Sequence, residues 1–294
     1  MILIKISIGV ITYKRINDLI HCVQSIENSV NFAINEGKEL KINKLIISDD
    51  GDAITEEFIK KYFSLRWERI AGPKRGIGAN RNNILKNVEG DWFLMVDDDM
   101  EIPRDFILNS LELLERINSK KTIITGPALQ NGKIIPPTQP NYWGHRCIKI
   151  DCIDHPEGFL DQISWYPISI VSMCKFDESV IYGATEMDFA HQLISKGFDI
   201  KYDEKLLVVD LGVGKTINPS NVIDFEAARI FYMFRRYGKW KKSMFKLMIF
   251  GCLEPIRLSV ALFKVYKIIG IQYAIKSYVK SYSFLKNDRK GTLY

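Results

Sequence analysis

Trp92-Phe-Leu-Met-Val96 is an unbroken apolar run that stops on Asp97-Asp98-Asp99. A strand without a polar face belongs inside a sheet that helices cover on both sides. The segments around it alternate accordingly. Leu3–Ile11 reads as a first strand, and a helical pattern from Asn17 to Ser29 puts Leu19, Ile20, Val23 and Ile26 on one side. Lys44–Ser48 is a short buried-type strand ending in Asp49-Asp50-Gly51-Asp52. Glu56–Phe63, Ile77–Val88 and Pro103–Ile117 read as helices, and Lys121–Thr125 as a strand. Strands that alternate with helices of 10–15 residues predict an α/β fold with a doubly wound, mostly parallel sheet. Ligands of such sheets bind beyond the carboxyl ends of the strands, where both acidic clusters fall. Residues 126–162 carry Pro127, Pro136, Pro137, Pro140 and Pro156 with little periodicity, so they read as a long loop or insertion. Ser164–Cys174 reads as a strand, Thr185–Lys196 as a helix closed by Gly197, and Phe198–Val209 as one or two final strands.

The 294 residues are 47% hydrophobic and 26% charged, which excludes a disordered chain. Five cysteines without a CxxC pair point to a reducing compartment. The apolar start, Met1–Thr12, has no leading basic region and reads as a strand rather than a signal peptide. The net charge of +6 is unevenly spread. Residues 216–294 hold 15 Lys/Arg against 4 acids, a net +11, whereas residues 1–215 hold 26 against 31, a net −5. A catalytic domain over 1–215 and a basic helical region over 216–294 are expected. Such asymmetry favours a polyanionic partner, nucleic acid or an anionic membrane face.

Four clusters carry chemistry. Asp97 and Asp99 alternate along an extended chain and can face the same way. Carboxylates are hard ligands suited to Mg²⁺ or Mn²⁺, and a metal there can neutralise a leaving diphosphate. Carboxylates of the Asp49–Asp52 turn can accept from a base imide or a ribose hydroxyl. Lys74-Arg75-Gly76-Ile77-Gly78-Ala79-Asn80-Arg81 offers glycines and arginines before a helix, a phosphate-binding combination. Glu186 and Asp188 open a helix, either as a general base for a hydroxyl or as ordinary first-turn acids.

In this order and spacing the clusters resemble the inverting GT-A glycosyltransferases of family 2, of the bacterial and archaeal surface-polysaccharide type. Ser7–Arg15 is similar to that family's opening strand and "TYNR" turn, which brings Thr12 and Arg15 to the donor. Leu45–Asp52 resembles "VDDGS", Gly76–Asn82 "GxxxARN", Val96–Asp99 the D-x-D motif, Phe176-Asp177-Glu178 "FDE", and Thr185–Asp188 the "ED-x-D" segment. The resemblance covers about residues 4–214. It implies that Asp49 contacts the base, with Asp50, Arg75 and Asp98 also around the donor. It implies that Arg81 braces the D-x-D region or phosphates, that Asp97 reaches ribose or metal, and that Asp99 binds the metal. Glu186 falls on the catalytic base and Asp188 on the second acid, which supports structure or the acceptor. Asp210 stands where many members have a histidine metal ligand, and Gln192 where arginine is usual.

The implied activity is a metal-dependent hexosyl or deoxyhexosyl transfer from a nucleoside-diphosphate sugar to a saccharide or lipid-linked hydroxyl. A sugar-nucleotide pyrophosphorylase and an inactive polysaccharide-assembly subunit are the alternatives. His145, Cys147, Cys152 and His155 have the residue types of a zinc site at irregular spacing; the other reading is a loop over the site, with Trp143, His145 or Trp165 meeting a sugar. In the tail, aromatics interleaved with cations hint at RNA. However, Arg257, Lys264 and Lys267 form one narrow polar stripe amid apolar residues, which suits an interfacial helix or an oligomer helix better. No nucleic acid is expected, and the chain is placed at the cytoplasmic face of the cell membrane.

Overall fold

The computed structural model of the chain describes residues 3–117, 119–137, 139–147, 156–160, 162–212 and 219–289. In chain order these form β1 (Ile4–Thr12), α1 (Ile16–Asn35), β2 (Leu40–Asp49), α2 (Glu56–Tyr62), β3 (Glu68–Ala71), α3 (Ile77–Leu85), β4 (Trp92–Asp97), β5 (Met100–Glu101), α4 (Phe106–Arg116) and β6 (Thr122–Thr125). Four short strands follow: β7 (Ala128–Gln130), β8 (Lys133–Ile135), β9 (Gln139–Pro140) and β10 (Arg146–Cys147). Then come β11 (Ile163–Pro167), α5 (Thr185–Ser195), β12 (Asp199–Tyr202), β13 (Val208–Asp210), α6 (Pro219–Arg235), α7 (Met244–Tyr266) and α8 (Ile268–Arg289).

Seven strands make the main sheet in the order β12-β6-β11-β4-β1-β2-β3. All adjacent pairs are parallel except those of β11, which runs antiparallel between β4 and β6. The expected doubly wound, mostly parallel sheet is present. Burial on both faces explains the unbroken apolar runs of β1 and β4: Ile6, Ile8, Leu94 and Val96 sit in one core, Phe93 and Met95 in the other. The strand expected over Ser164–Cys174 ends at Pro167, and residues 168–172 turn into a 3₁₀ helix. Residues 126–162, expected as loop, contribute β7 and β8 to a second sheet of order β5-β13-β7-β8. β3 had no sequence forecast, because four half-exposed residues carry no periodicity.

Helix α1 is held to the turn before β3 by one carboxylate. Glu27, buried in α1, accepts from the amides of Ser64 and Leu65 at 2.8–3.0 Å, from Ser64 Oγ at 2.8 Å and from Trp67 Nε1 at 3.0 Å. An unpaired buried donor costs about 1–3 kcal/mol. Glu27→Ala is therefore expected to destabilise the chain by about 3 kcal/mol or more, read as a lower urea midpoint. A loss below about 0.5 kcal/mol would show that packing of Phe63 and Trp67 alone fixes the turn.

α6 packs into the body formed by the preceding elements. Its Ala227, Ala228 and Phe231 share one core with Val180, Ala184 and Met187 around the start of α5 and with Phe250 of α7. α7 and α8 form a hairpin turning at Lys267, where Gly270 passes so close to the Leu262 carbonyl that a Cβ would collide with it. No helix among the described residues is long and apolar enough to cross a membrane.

Candidate active site

The strand order reverses between β1 and β4, and their carboxyl ends meet there: Ile11 pairs with Asp97, and Thr12 with Asp49 on the other side. A cavity of about 1020 Å³ opens at this point, lined by Thr12, Arg15, Asp50, Asp52, Lys74, Asn80 and Asp97 among others. That volume suits a ligand of drug or nucleotide size. Asp52 and Lys74 form an ion pair at its edge. Asp52 belongs to the acidic turn and Lys74 to the phosphate-type segment recognised in the sequence.

The three aspartates after β4 have separate partners. Asp97 takes both Arg81 contacts at 3.0 Å, and Arg81 is itself buried, 5.5 Å over the Phe176 ring. Burial raises the Asp97 carboxyl, Arg81 opposes that, and Asp99 adds to it. Asp98 is fully buried, accepts from Thr12 Oγ1 at 2.6 Å and pairs with Arg15. Burial pushes its carboxyl to about 7 against the pull of Arg15 and Thr12. Asp98 thus anchors the motif to β1 and lies beneath the cavity surface. Asp99 pairs with the opposite side of Arg15.

Asp210 ends β13, which is hydrogen-bonded to β5 just after the motif. Its carboxylate accepts from Gln130 at 2.8 Å, Gln162 at 3.2 Å and the Gly212 amide at 2.8 Å. The Leu211 amide donates to the Asp99 carbonyl at 2.9 Å. A Cβ at Gly212 would collide with the Asp99 carboxylate and stand 3.2 Å from Asp210 Oδ1, so both carboxylates crowd this glycine. Burial raises the Asp210 carboxyl, and the Asp99 charge contributes. Two like charges gathered at one point favour a divalent cation with oxygen ligands. Among the described residues, no three ligating side chains stand close enough to hold an ion outright. The expected triad of Asp97, Asp99 and Asp210 is therefore not preassembled, because Arg81 holds Asp97 and Arg15 holds Asp99. The carboxylates of Asp99 and Asp210 are of the hard oxygen type that suits Mg²⁺ or Mn²⁺, and would hold such an ion only with further oxygen ligands.

Besides Asp98, two more donor-side expectations change. Asp49 is completely buried and is occupied by the Gly51 amide at 3.0 Å, the Ile54 amide at 2.9 Å and Arg69 at 3.3 Å. It shapes the turn, and Asp50, Gly51 and Asp52 line the cavity in its place. Arg75 points to Glu178 at 2.7 Å and does not line the cavity.

A second cavity, about 430 Å³, adjoins the first and shares Asp97, Ile77 and Tyr182 with it. Arg81, His145, Arg146, Gln162, Glu186 and Phe225 complete much of its wall. Glu186 reaches it from the first turn of α5 and pairs with Arg146 at 2.5 Å. Burial opposes the charge of Glu186, yet Arg146 lowers its pKa and keeps it a carboxylate. Asp188, two residues on, turns into the core, 3.1 Å from Arg235, which also holds Asp177 at 2.7 Å. Of the readings open for Asp188, this placement is the structural one, since residues two apart on a helix face different sides. Gln192 serves structure too, bonding the Lys175 amide and carbonyl at 3.0 and 3.2 Å. His145 lines the second cavity, and burial, then Arg229, lowers its pKa. Cys152 and His155 lie outside the described residues. Trp165 is excluded from any ligand contact: it is fully buried, with Nε1 on Ser110 at 2.9 Å.

The family model described as glycosyl transferase family 2 matches residues 7–140. No curated protein sequence matches the chain significantly. Among solved structures, GalNAc-T7 with UDP, GalNAc and Mn²⁺ is similar at TM-score 0.62 and 10% identity, over 81% of this chain and 49% of that one. The chain thus spans about half the length of that protein. Mannosyltransferase PcManGT from Pyrobaculum calidifontis, in complex with GDP-Man and Mn²⁺, aligns at TM-score 0.57 and 13% identity over 99% and 80%. S. aureus TarS 1-349 with UDP aligns at 0.50 and 15% over 98% and 92%. Residues 7–140 thus match the model of glycosyl transferase family 2, and the α/β architecture resembles that of GT-A glycosyltransferases.

Proposed function

We propose that the chain is an inverting glycosyltransferase that moves a sugar from a nucleoside-diphosphate sugar to a hydroxyl of a saccharide or lipid-linked acceptor. The observation that carries this reading is the position of Asp97 in the wall shared by two cavities. The larger holds cations and carboxylates suited to a nucleotide, and the smaller holds Glu186. The similar structures of GalNAc-T7 with UDP, GalNAc and Mn²⁺ and of PcManGT with GDP-Man and Mn²⁺ support the same assignment.

In this reading the donor diphosphate lies near Arg15 and Lys74, and Asp50 and Asp52 meet its nucleoside. Asp99 and Asp210 would hold a Mg²⁺ or Mn²⁺ ion, which would supply positive charge to the leaving diphosphate. Arg81 fixes Asp97 at the junction. Glu186 accepts the acceptor hydroxyl's proton as that oxygen bonds the anomeric carbon and the diphosphate departs. Arg146 keeps Glu186 ionised until the acceptor arrives.

The test is release of nucleoside diphosphate from UDP-, dTDP- and GDP-sugars by the full chain with Mn²⁺. Asp99→Asn keeps shape and removes charge, so turnover is expected to fall at least about tenfold, and EDTA is expected to do the same to the parent protein. Full turnover in EDTA overturns the metal role; no release from any donor overturns the transferase.

A further inference from the structure

We infer that the α7–α8 hairpin is a docking surface for an anionic lipid bilayer, on which both helices lie flat. This goes beyond the reaction proposed above and is tested without turnover. Fourteen of the twenty-four large apolar side chains exposed among the described residues lie between Met244 and Tyr282, so bare apolar surface is concentrated on this one hairpin. On α7 the inward row Phe250, Glu254, Leu258 and Leu262 is buried. The opposite row contains Phe245, Met248, Ile256, Val260 and Phe263, each 45–75% exposed. At about 100° per residue these five fall within one arc, which carries no charged residue over five turns. On α8, Ile268, Ile275, Val279 and Tyr282 form a like arc, each 59–71% exposed.

The exposed charges around these arcs, among the described residues, are all positive. Residues 244–289 hold eight Lys/Arg and two acids, and both acids are engaged. Glu254 is buried under Arg229 and Arg257, and Asp288 stands 3.7 Å from Lys239. Lys242, Lys246, Lys264, Lys267, Lys276 and Lys286 are exposed and have no ion-pair partner among the described residues. Lys246 and Lys264 stand at one margin of the α7 arc, where long side chains reach headgroups while the arc meets acyl chains. A second protein copy would have to cover a broad apolar face and match one-sided positive charge with an identical positive face. An anionic bilayer matches both features at once. Four charged residues in α7 keep it from spanning, so the helix axis lies in the interface plane.

The experiment is flotation of the full-length chain with vesicles of phosphatidylcholine alone and with added phosphatidylglycerol, at low and high salt, alongside light scattering without lipid. Binding to the anionic vesicles is expected. It should weaken at high salt without vanishing, because the apolar contacts are salt-insensitive. Lys264→Gln with Lys267→Gln should lower partitioning by about fivefold per lysine. Ile256→Glu with Phe263→Glu should abolish partitioning while circular dichroism and the urea midpoint hold, since both side chains are already solvent-exposed. Failure of the parent chain to float with anionic vesicles overturns the inference. So does a lipid-indifferent dimer by light scattering, or a glutamate variant that folds and still binds.

Discussion

Glu186→Gln is expected to lower kcat by about 10²–10⁴ while leaving the affinity for a nucleoside-diphosphate sugar unchanged. The amide keeps the shape of the side chain and its place in the smaller cavity but cannot take a proton. Donor binding is unaffected because Glu186 does not line the larger cavity. The Arg146 pair adds a second readout. Arg146 favours the ionised form of Glu186, so its removal raises the pKa of the base. Glu186 must be unprotonated to act, so the acid limb of the kcat profile is lost at a higher pH in Arg146→Ala than in the parent protein. A stability effect alone would lower kcat without moving that limb. Full turnover in Glu186→Gln, with an inactive Asp188→Asn that remains folded, would transfer the base role to Asp188.

The parts of this site that the sequence declares are those tied to a strand end. Asp97–Asp99 follow β4, and Asp49–Asp52 follow β2. A fully apolar strand ending in acids marks the carboxyl edge of a covered parallel sheet. Direction is legible there; occupancy of the lone pairs is not. Asp49 is adjacent to the cavity in sequence, yet two amides and Arg69 consume its acceptors, so Asp50 and Asp52 face the ligand space. Arg146 was invisible for another reason. It lies in a proline-rich stretch without period, and only tertiary folding brings β10 against α5. β11 is antiparallel because it returns from that insertion, which breaks the alternation of strand and helix. The charge count of the tail misleads in one respect, because it cannot register burial. Arg229, Arg235 and Arg236 are part of the +11 but are buried and paired with Glu254, Asp177 and Glu157. What remains to face outward is mostly lysine on α7 and α8.

Arg235→Met is expected to cost about 3–5 kcal/mol, the usual loss when one member of a buried ion cluster is removed. Arg235 is almost completely enclosed, with Nη1 2.7 Å from Asp177 and 3.1 Å from Asp188, and its guanidinium lies 5.2 Å from the Phe231 ring centre and 5.3 Å from that of Trp240. Methionine preserves much of the stem's packing, so the loss is mainly electrostatic. It leaves two buried carboxylates facing each other. The sign with pH follows. Burial already raises the Asp188 carboxyl, Arg235 opposes that, and Asp177 adds to it. Without Arg235 the folded-state pKa rises further above the unfolded value near 3.9. A raised carboxyl pKa means the folded state binds more protons, so the variant gains stability as pH falls through that raised value. The gap between variant and parent in urea midpoint should therefore be widest at neutral pH and narrow in mild acid. Adding Asp177→Asn and Asp188→Asn to Arg235→Met should recover a large part of the loss at neutral pH, because the two most buried carboxylates of the cluster then carry no charge. The cluster links α6 to the first turn of α5, which carries Glu186. Loosening it should also lower kcat, whereas Asp188→Asn alone, with Arg235 still held by Asp177, should retain turnover per folded molecule. A gap that does not change with pH would mean that packing against Phe231 and Trp240, rather than charge, is what Arg235 contributes.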